Sequence, residues 1–170
     1  MSSGQSAGRV TPAEYEVKAA FLFNFVKFID WPSACHLNAT SPILVGVVGK
    51  DPFGDALESV IGQKKVKGRN LTIRRYQDIA DIDSCHVLFI AESESSRLDR
   101  VFDHLNGRSV LTVSDMDAFT QRGGIIQLYV KANKVRFEIN LDSAENINLK
   151  ISAKLLNLAE TVYNRERYSN

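Results

Sequence analysis

The chain lacks most of the features that would announce a specialised role. Its net charge is +1, from 21 basic and 20 acidic side chains in 170 residues. No field of one sign is therefore available to draw in nucleic acid or an anionic membrane surface. No apolar run reaches the ~20 residues that a bilayer span needs. The longest, AAFLFNFVKFI, is interrupted by Asn24 and Lys27. There is no G-x-G-x-x-G, no P-loop spacing and no Ser/His/Asp set built on a nucleophile elbow. The opening MSSGQSAGRV lacks the basic-then-apolar pattern of a secretory signal. With two cysteines, Cys35 and Cys85, one disulfide is the maximum, so a disulfide-stapled scaffold is excluded.

What is present is an ordinary globular composition, 44% hydrophobic and 24% charged. The length suits one domain with a full core. Residues 1–10 read as a leader, 11–165 as a single domain and 166–170 as a tail. Thr11, Pro12 and Glu14 form a helix-start signal before an apolar stripe through Val17, Phe21, Phe25 and Phe28, ended by Pro32 after Trp31. ILVGVV (43–48) is continuously apolar and β-branched, as in a strand buried on both faces. LTIRRYQ, HVLFIAE and SVLTVS supply three further strands, separated by helical patterns at 55–62 and 93–107. IIQLYVKANKVRFEIN reads as a hairpin turning at Ala132 and Asn133. SAENINLKISAKLLNLAETVYN reads as one last helix. The alternation predicts an α/β fold: a mixed, mostly parallel sheet, flanked by helices on both faces, with a C-terminal antiparallel hairpin.

Three constellations invite a chemical reading. GKDPFG (49–54) follows the first strand, where doubly wound sheets hold phosphate, but partial glycine motifs are weak and a turn, with Pro52 at the helix start and Asp51 as its cap, explains it. Cys85-His86 has the composition of a thiolate and its base, yet adjacent strand residues face opposite ways and would not converge on one substrate. Cys35-His36 and Cys85-His86 together lack the spacing of zinc loops, so no metal and no cofactor is expected. Cys85 is left as a buried free thiol or as half of a disulfide with Cys35. If the first and third strands are parallel neighbours, both cysteines lie at one end of the sheet. Closing that loop would contribute about 4 kcal/mol in the chain-entropy model.

Read in order, EYEVKAAFLFNFVKFIDWP, VGVVGKDPFG, GRNLTIRR, CHVLFIAESE, VLTVSDMDAFTQRGGIIQL, NKVRFEIN and LKISAKLLNLA resemble the YfiR family of bacterial periplasmic proteins. The resemblance runs from about Glu14 to Val162. It implies a periplasmic, non-enzymatic, dimerising regulator that restrains the periplasmic domain of a membrane-bound diguanylate cyclase. An outer-membrane lipoprotein relieves that restraint, and the output is cyclic di-GMP level, biofilm formation and motility. In the family the cysteine of the CH motif commonly pairs with a cysteine in the first strand, and the redox state of such bonds tunes stability. The matching position here is Gly46, which leaves Cys35 as a displaced partner for Cys85.

The expected function is therefore protein binding. Trp31, Arg122 and Arg136 are the candidate partner contacts, with the Phe-rich first helix as a further surface. The alternative is a small-ligand sensor with a pocket at the strand carboxyl ends near Asp51, Glu92 and Arg122.

Overall fold

The computed structural model describes residues 12–36 and 38–165. The first helix, α1, spans Pro12–Phe28. It begins at the proline whose fixed φ suits a first turn; the Thr11 cap lies outside the described residues. The helix stops before Trp31 because Ile29–Asp30 leaves it as a two-residue strand, β1, antiparallel to Lys150–Ile151 (β9).

Ile43–Val48 is β2 and Ala56–Ile61 is α2. The short Lys65–Val66, β3, was not legible in the sequence; it pairs antiparallel with Arg69–Tyr76, β4. Val87–Ile90 is β5, Leu98–Leu105 is α3 and Leu111–Ser114 is β6. Ile126–Lys131 (β7) and Lys134–Asn140 (β8) form the predicted hairpin. Its turn residues Ala132 and Asn133 both have positive φ, 52° and 62°, the pairing that matches strand twist.

The predicted last helix is instead four elements: Leu141–Glu145 (α4), β9, Ala153–Leu158 (α5) and Thr161–Tyr163 (β10). Asn148 takes φ 62° and breaks the helical run. Ser152 restarts it by accepting the Leu155 N–H. Thr161–Tyr163, rich in β-formers, then adds a parallel strand to β8.

The main sheet has eight strands in the order β10-β8-β7-β6-β5-β2-β4-β3. Pairs β4-β2, β2-β5, β5-β6 and β6-β7 are parallel. The chain starts at β2 and goes to β4 on one side and to β5 on the other, as in doubly wound folds. Alternate residues of each strand serve two cores. Val45, Val47, Val87 and Phe89 pack with Leu22, Phe25, Leu57 and Ile61 from α1 and α2. Val48, Leu88 and Ile90 pack with Leu98, Val101 and Leu105 from α3. Helices thus cover both faces, as the alternation requires.

Candidate functional site

The carboxyl ends of the strands are closed by charge. Lys18, 3% exposed, donates to Glu14 Oε2 at 2.6 Å and to Asp115 Oδ2 at 2.8 Å. The Tyr15 hydroxyl donates to Asp115 at 2.5 Å, and burial first, then that carboxylate, pushes its pKa well above the usual phenol value. GKDPFG is a turn, as the residue pattern predicts. Asp51 accepts the Phe53 N–H and the Arg75 Nε–H. The helix starts only at Ala56, so Asp51 caps the turn rather than α2. Gly49, at φ 95°, leaves no room for a side chain: an added Cβ would stand 2.7 Å from Ser93 Oγ. Arg122 donates to the Ser95 hydroxyl and carbonyl. The Asp51 and Arg122 proposed to line a ligand pocket here are thus each bonded within the protein.

The amino ends of the same strands are held differently. His86 precedes β5 and is 6% exposed. Its backbone N–H donates to the Leu44 carbonyl, and its carbonyl accepts the Leu111 N–H and the Trp31 indole N–H. The Leu44 N–H donates to His86 Nδ1 at 3.0 Å. Nδ1 is therefore the acceptor, so Nε2 carries the hydrogen and donates it to the Cys35 carbonyl, 3.1 Å away. His36 stacks on this ring at 4.9 Å between centroids, and Trp31 meets it edge-on at 5.7 Å. Burial holds both imidazoles below their ordinary pKa.

Beside this stack lies a cavity of about 600 Å³, walled by Pro32, Cys35, Leu44, Arg74, Cys85 and Arg108 among others. The sequence argument that Cys85 and His86 face apart fails here. The strand begins only at Val87, so strand alternation does not govern them, and both line the cavity. They still do not make a nucleophile and base. Burial pushes the Cys85 thiol up to about 12, and both ring nitrogens of His86 are already engaged.

The candidate disulfide is not formed in this structure: Cys35, half-buried, and Cys85, buried, are free thiols. They do reach one end of the sheet, as the parallel neighbours β2 and β5 require. Burial raises both pKa values, which keeps the attacking thiolate scarce. At Gly46, where the family pattern puts a cysteine, the Tyr76 ring takes the space. An added Cβ would lie 2.7 Å from Tyr76 Cε2.

The three candidate partner contacts are spread out. Trp31 is half-buried at the amino end of β5, whereas Arg122 bonds to Ser95 beyond its carboxyl end. Arg136 sits on β8 and donates to Glu160 at 3.2 Å. Of the Phe residues in α1, Phe25 is fully buried, and Phe21, Phe23 and Phe28 pack partly buried against the same core. Sequence reasoning did not single out Lys18 or Tyr76, and it weighed His36 only as a metal ligand. The i,i+4 pair Glu14-Lys18 was the one visible signal among them.

A doubly wound sheet with helices on both faces, closed at its carboxyl end by its own charged side chains, defines an α/β module. The chain belongs to the YfiR/HmsC-like family, whose sequence pattern it matches over residues 15–160. Family membership supports a periplasmic regulatory role in cyclic di-GMP signalling. Among solved structures, a conserved domain protein from Vibrio cholerae O1 biovar El Tor is similar, with a TM-score of 0.61 and 13% identity. The match covers 88% of this chain and 60% of that one, so the chain spans three fifths of that protein's length. The ABC domain in complex with L-Trp from Streptococcus pneumonia is similar at a TM-score of 0.51 and 11% identity, over 71% of this chain and 55% of that one. At these identities the likeness is one of fold alone. No described helix is long and apolar enough to cross a membrane.

Proposed function

We propose that this protein represses a membrane-bound diguanylate cyclase by binding the cyclase's periplasmic domain. The observation that carries the reading is the family match over residues 15–160. The repressor acts by contact and transforms no substrate. It works as a homodimer, and an outer-membrane lipoprotein relieves repression by sequestering it. Arg122 and Arg136 are assigned to polar contacts with the partner, and Trp31 to the edge of the contact surface. Arg136 suits that role because its one charged partner, Glu160, is itself partly exposed.

The test is deletion of the gene with measurement of cyclic di-GMP. A rise, reversed by the wild-type chain and not by Arg136→Glu at equal abundance, is expected. No rise, together with no capture of the cyclase's periplasmic domain by the purified full chain, would overturn the reading.

One observation favours a second reading, a small-ligand sensor: the cavity of about 600 Å³ beside Cys85 and His86. It lies at the amino ends of the strands, away from Asp51, Glu92 and Arg122. Calorimetric binding of a small molecule that Leu44→Trp abolishes would support this reading over repression by contact alone.

A further inference from the structure

The bonds around His86 fix its protonation state by geometry. The ring accepts a backbone N–H at Nδ1 and gives its own hydrogen to the Cys35 carbonyl from Nε2. A second proton can enter only at Nδ1, where the Leu44 N–H already points. Protonation therefore sets two N–H groups head to head and leaves the Leu44 donor unsatisfied beside a buried cation. His36 worsens this. Its ring lies 4.9 Å away at an interplanar angle of 17°, and its Nδ1 is buried with no hydrogen-bond partner. Charging both rings would stack two cations.

The charged groups around the pair give no relief. Arg69 on β4 faces both imidazoles, and Lys67 faces His36. Arg74 and Arg108 stand across the cavity. From β2 the facing group is the Leu44 amide, and from the loop it is the Cys35 carbonyl, neither of which titrates. The nearby carboxylate Asp83 is held by Arg74 and the Tyr76 hydroxyl, and Asp30 by Lys67.

The segment that must yield is lightly tied. Trp31–His36 is joined to the sheet by the Trp31 indole bond, the His86–Cys35 bond, the imidazole stack, a hydrogen bond between the Cys35 thiol and Ser109, and the packing of Trp31 on the core. Its other backbone bonds, Cys35 to Pro32 and His36 to Ser33, are internal to its own 3-10 turn. We propose that His86 and His36 form an acid-released latch, in which protonation frees Trp31–His36 from the amino edge of the sheet and opens the cavity that holds the Cys35 and Cys85 thiols. The latch needs no cyclase and stands apart from the repressor reading.

Trp31 is the only tryptophan in the chain, so its fluorescence reports this segment alone. The full chain would be titrated from about pH 8 to about pH 4.5, the range that brackets imidazole. Far-UV circular dichroism and labelling by a dithiodipyridine would be followed in parallel. The expected result is a red shift of Trp31 below the ordinary imidazole pKa with circular dichroism unchanged. Thiol labelling should speed up by about tenfold or more as the segment opens. Rates are taken relative to a free cysteine thiol at the same pH, because acid both lowers the thiolate fraction and protonates the reagent, so a rise in that ratio is diagnostic.

His86→Phe should abolish the transition. Because that variant can fail to fold, His36→Phe is the second test. It keeps the stack but removes one of the two proton-linked groups that drive opening, so its transition should move to lower pH and link fewer protons. A Trp31 shift that coincides with loss of circular dichroism, no shift at all, or an unaltered profile in His36→Phe would overturn the latch.

Discussion

The two ends of one parallel sheet are built from opposite materials. At the carboxyl end, formal charges are buried and paired: Lys18 lies between Glu14 and Asp115, with the Tyr15 hydroxyl on the same carboxylate. At the amino end, neutral groups share hydrogen bonds, two imidazoles stack, and a cavity is left beside two thiols. Breaking a buried ion pair strands a charge, so the carboxyl end is fixed at any pH near neutrality. A buried neutral histidine held below the ordinary imidazole pKa takes its proton as the solution turns acid, so the amino end is conditional. Parallel strands place all their amino ends together, and the fold thereby gathers the conditional groups on one side.

Removing a charge at the carboxyl end should give the largest effect. Asp115→Ala leaves Lys18 with Glu14 alone and strips the acceptor from Tyr15. It should lower stability by about 3 kcal/mol, read from urea unfolding. A loss below about 1 kcal/mol would show that this end is no firmer than the other.

Gly46→Ala tests the packing between the ends. The new methyl would meet the Tyr76 ring at 2.7 Å, at an expected cost of about 2 kcal/mol. Pairing it with Tyr76→Leu should recover part of that in the same unfolding assay.

The pH dependence sharpens the contrast. The folded pKa of His86 is depressed, so its contribution is complete above the unfolded value of about 6.5 and is lost as pH falls through the folded value. Melting temperature should therefore decline from about pH 6.5 downward, and the decline should be shallower in His86→Phe, with the remainder due in part to His36. An undiminished decline in that variant would move the effect to another group.

The smallest expected change comes from Trp31→Phe. It removes the indole bond to the His86 carbonyl while keeping the ring, for about 1 kcal/mol. Thiol counting on unfolded, unreduced protein should find both Cys35 and Cys85 reactive, as in the structure. Finding neither would restore the bridge that the sequence suggested.

Much of this was legible before the structure. Ile43–Val48 and Val87–Ile90 announced themselves as continuously apolar, because strands buried on both faces need no polar side. The turns at Ala132-Asn133 and at GKDPFG were local, and local chemistry decided them, although Asp51 closes its turn and does not cap the helix. The break in the last helix was not legible. Leu149, Leu156 and Ala159 keep helical spacing, and only pairing of Lys150–Ile151 with β1 and of Thr161–Tyr163 with β8 overrides it. The site suffered for the same reason. The sequence could not show that Trp31, Arg122 and Arg136, the candidate partner contacts, lie at different places around the sheet.

By itself the sequence determined the α/β class, the succession of strands and helices from Ile43 to the hairpin save the short β3, and the family, since all three rest on periodicity and order along the chain. Tertiary structure decided which groups became neighbours. Lys18 met Asp115, His86 lay against His36, and the Tyr76 ring filled the space beside Gly46. The reason is physical: short-range spacing sets which face a side chain shows, whereas its charge state and its partners depend on what the rest of the chain brings to that face.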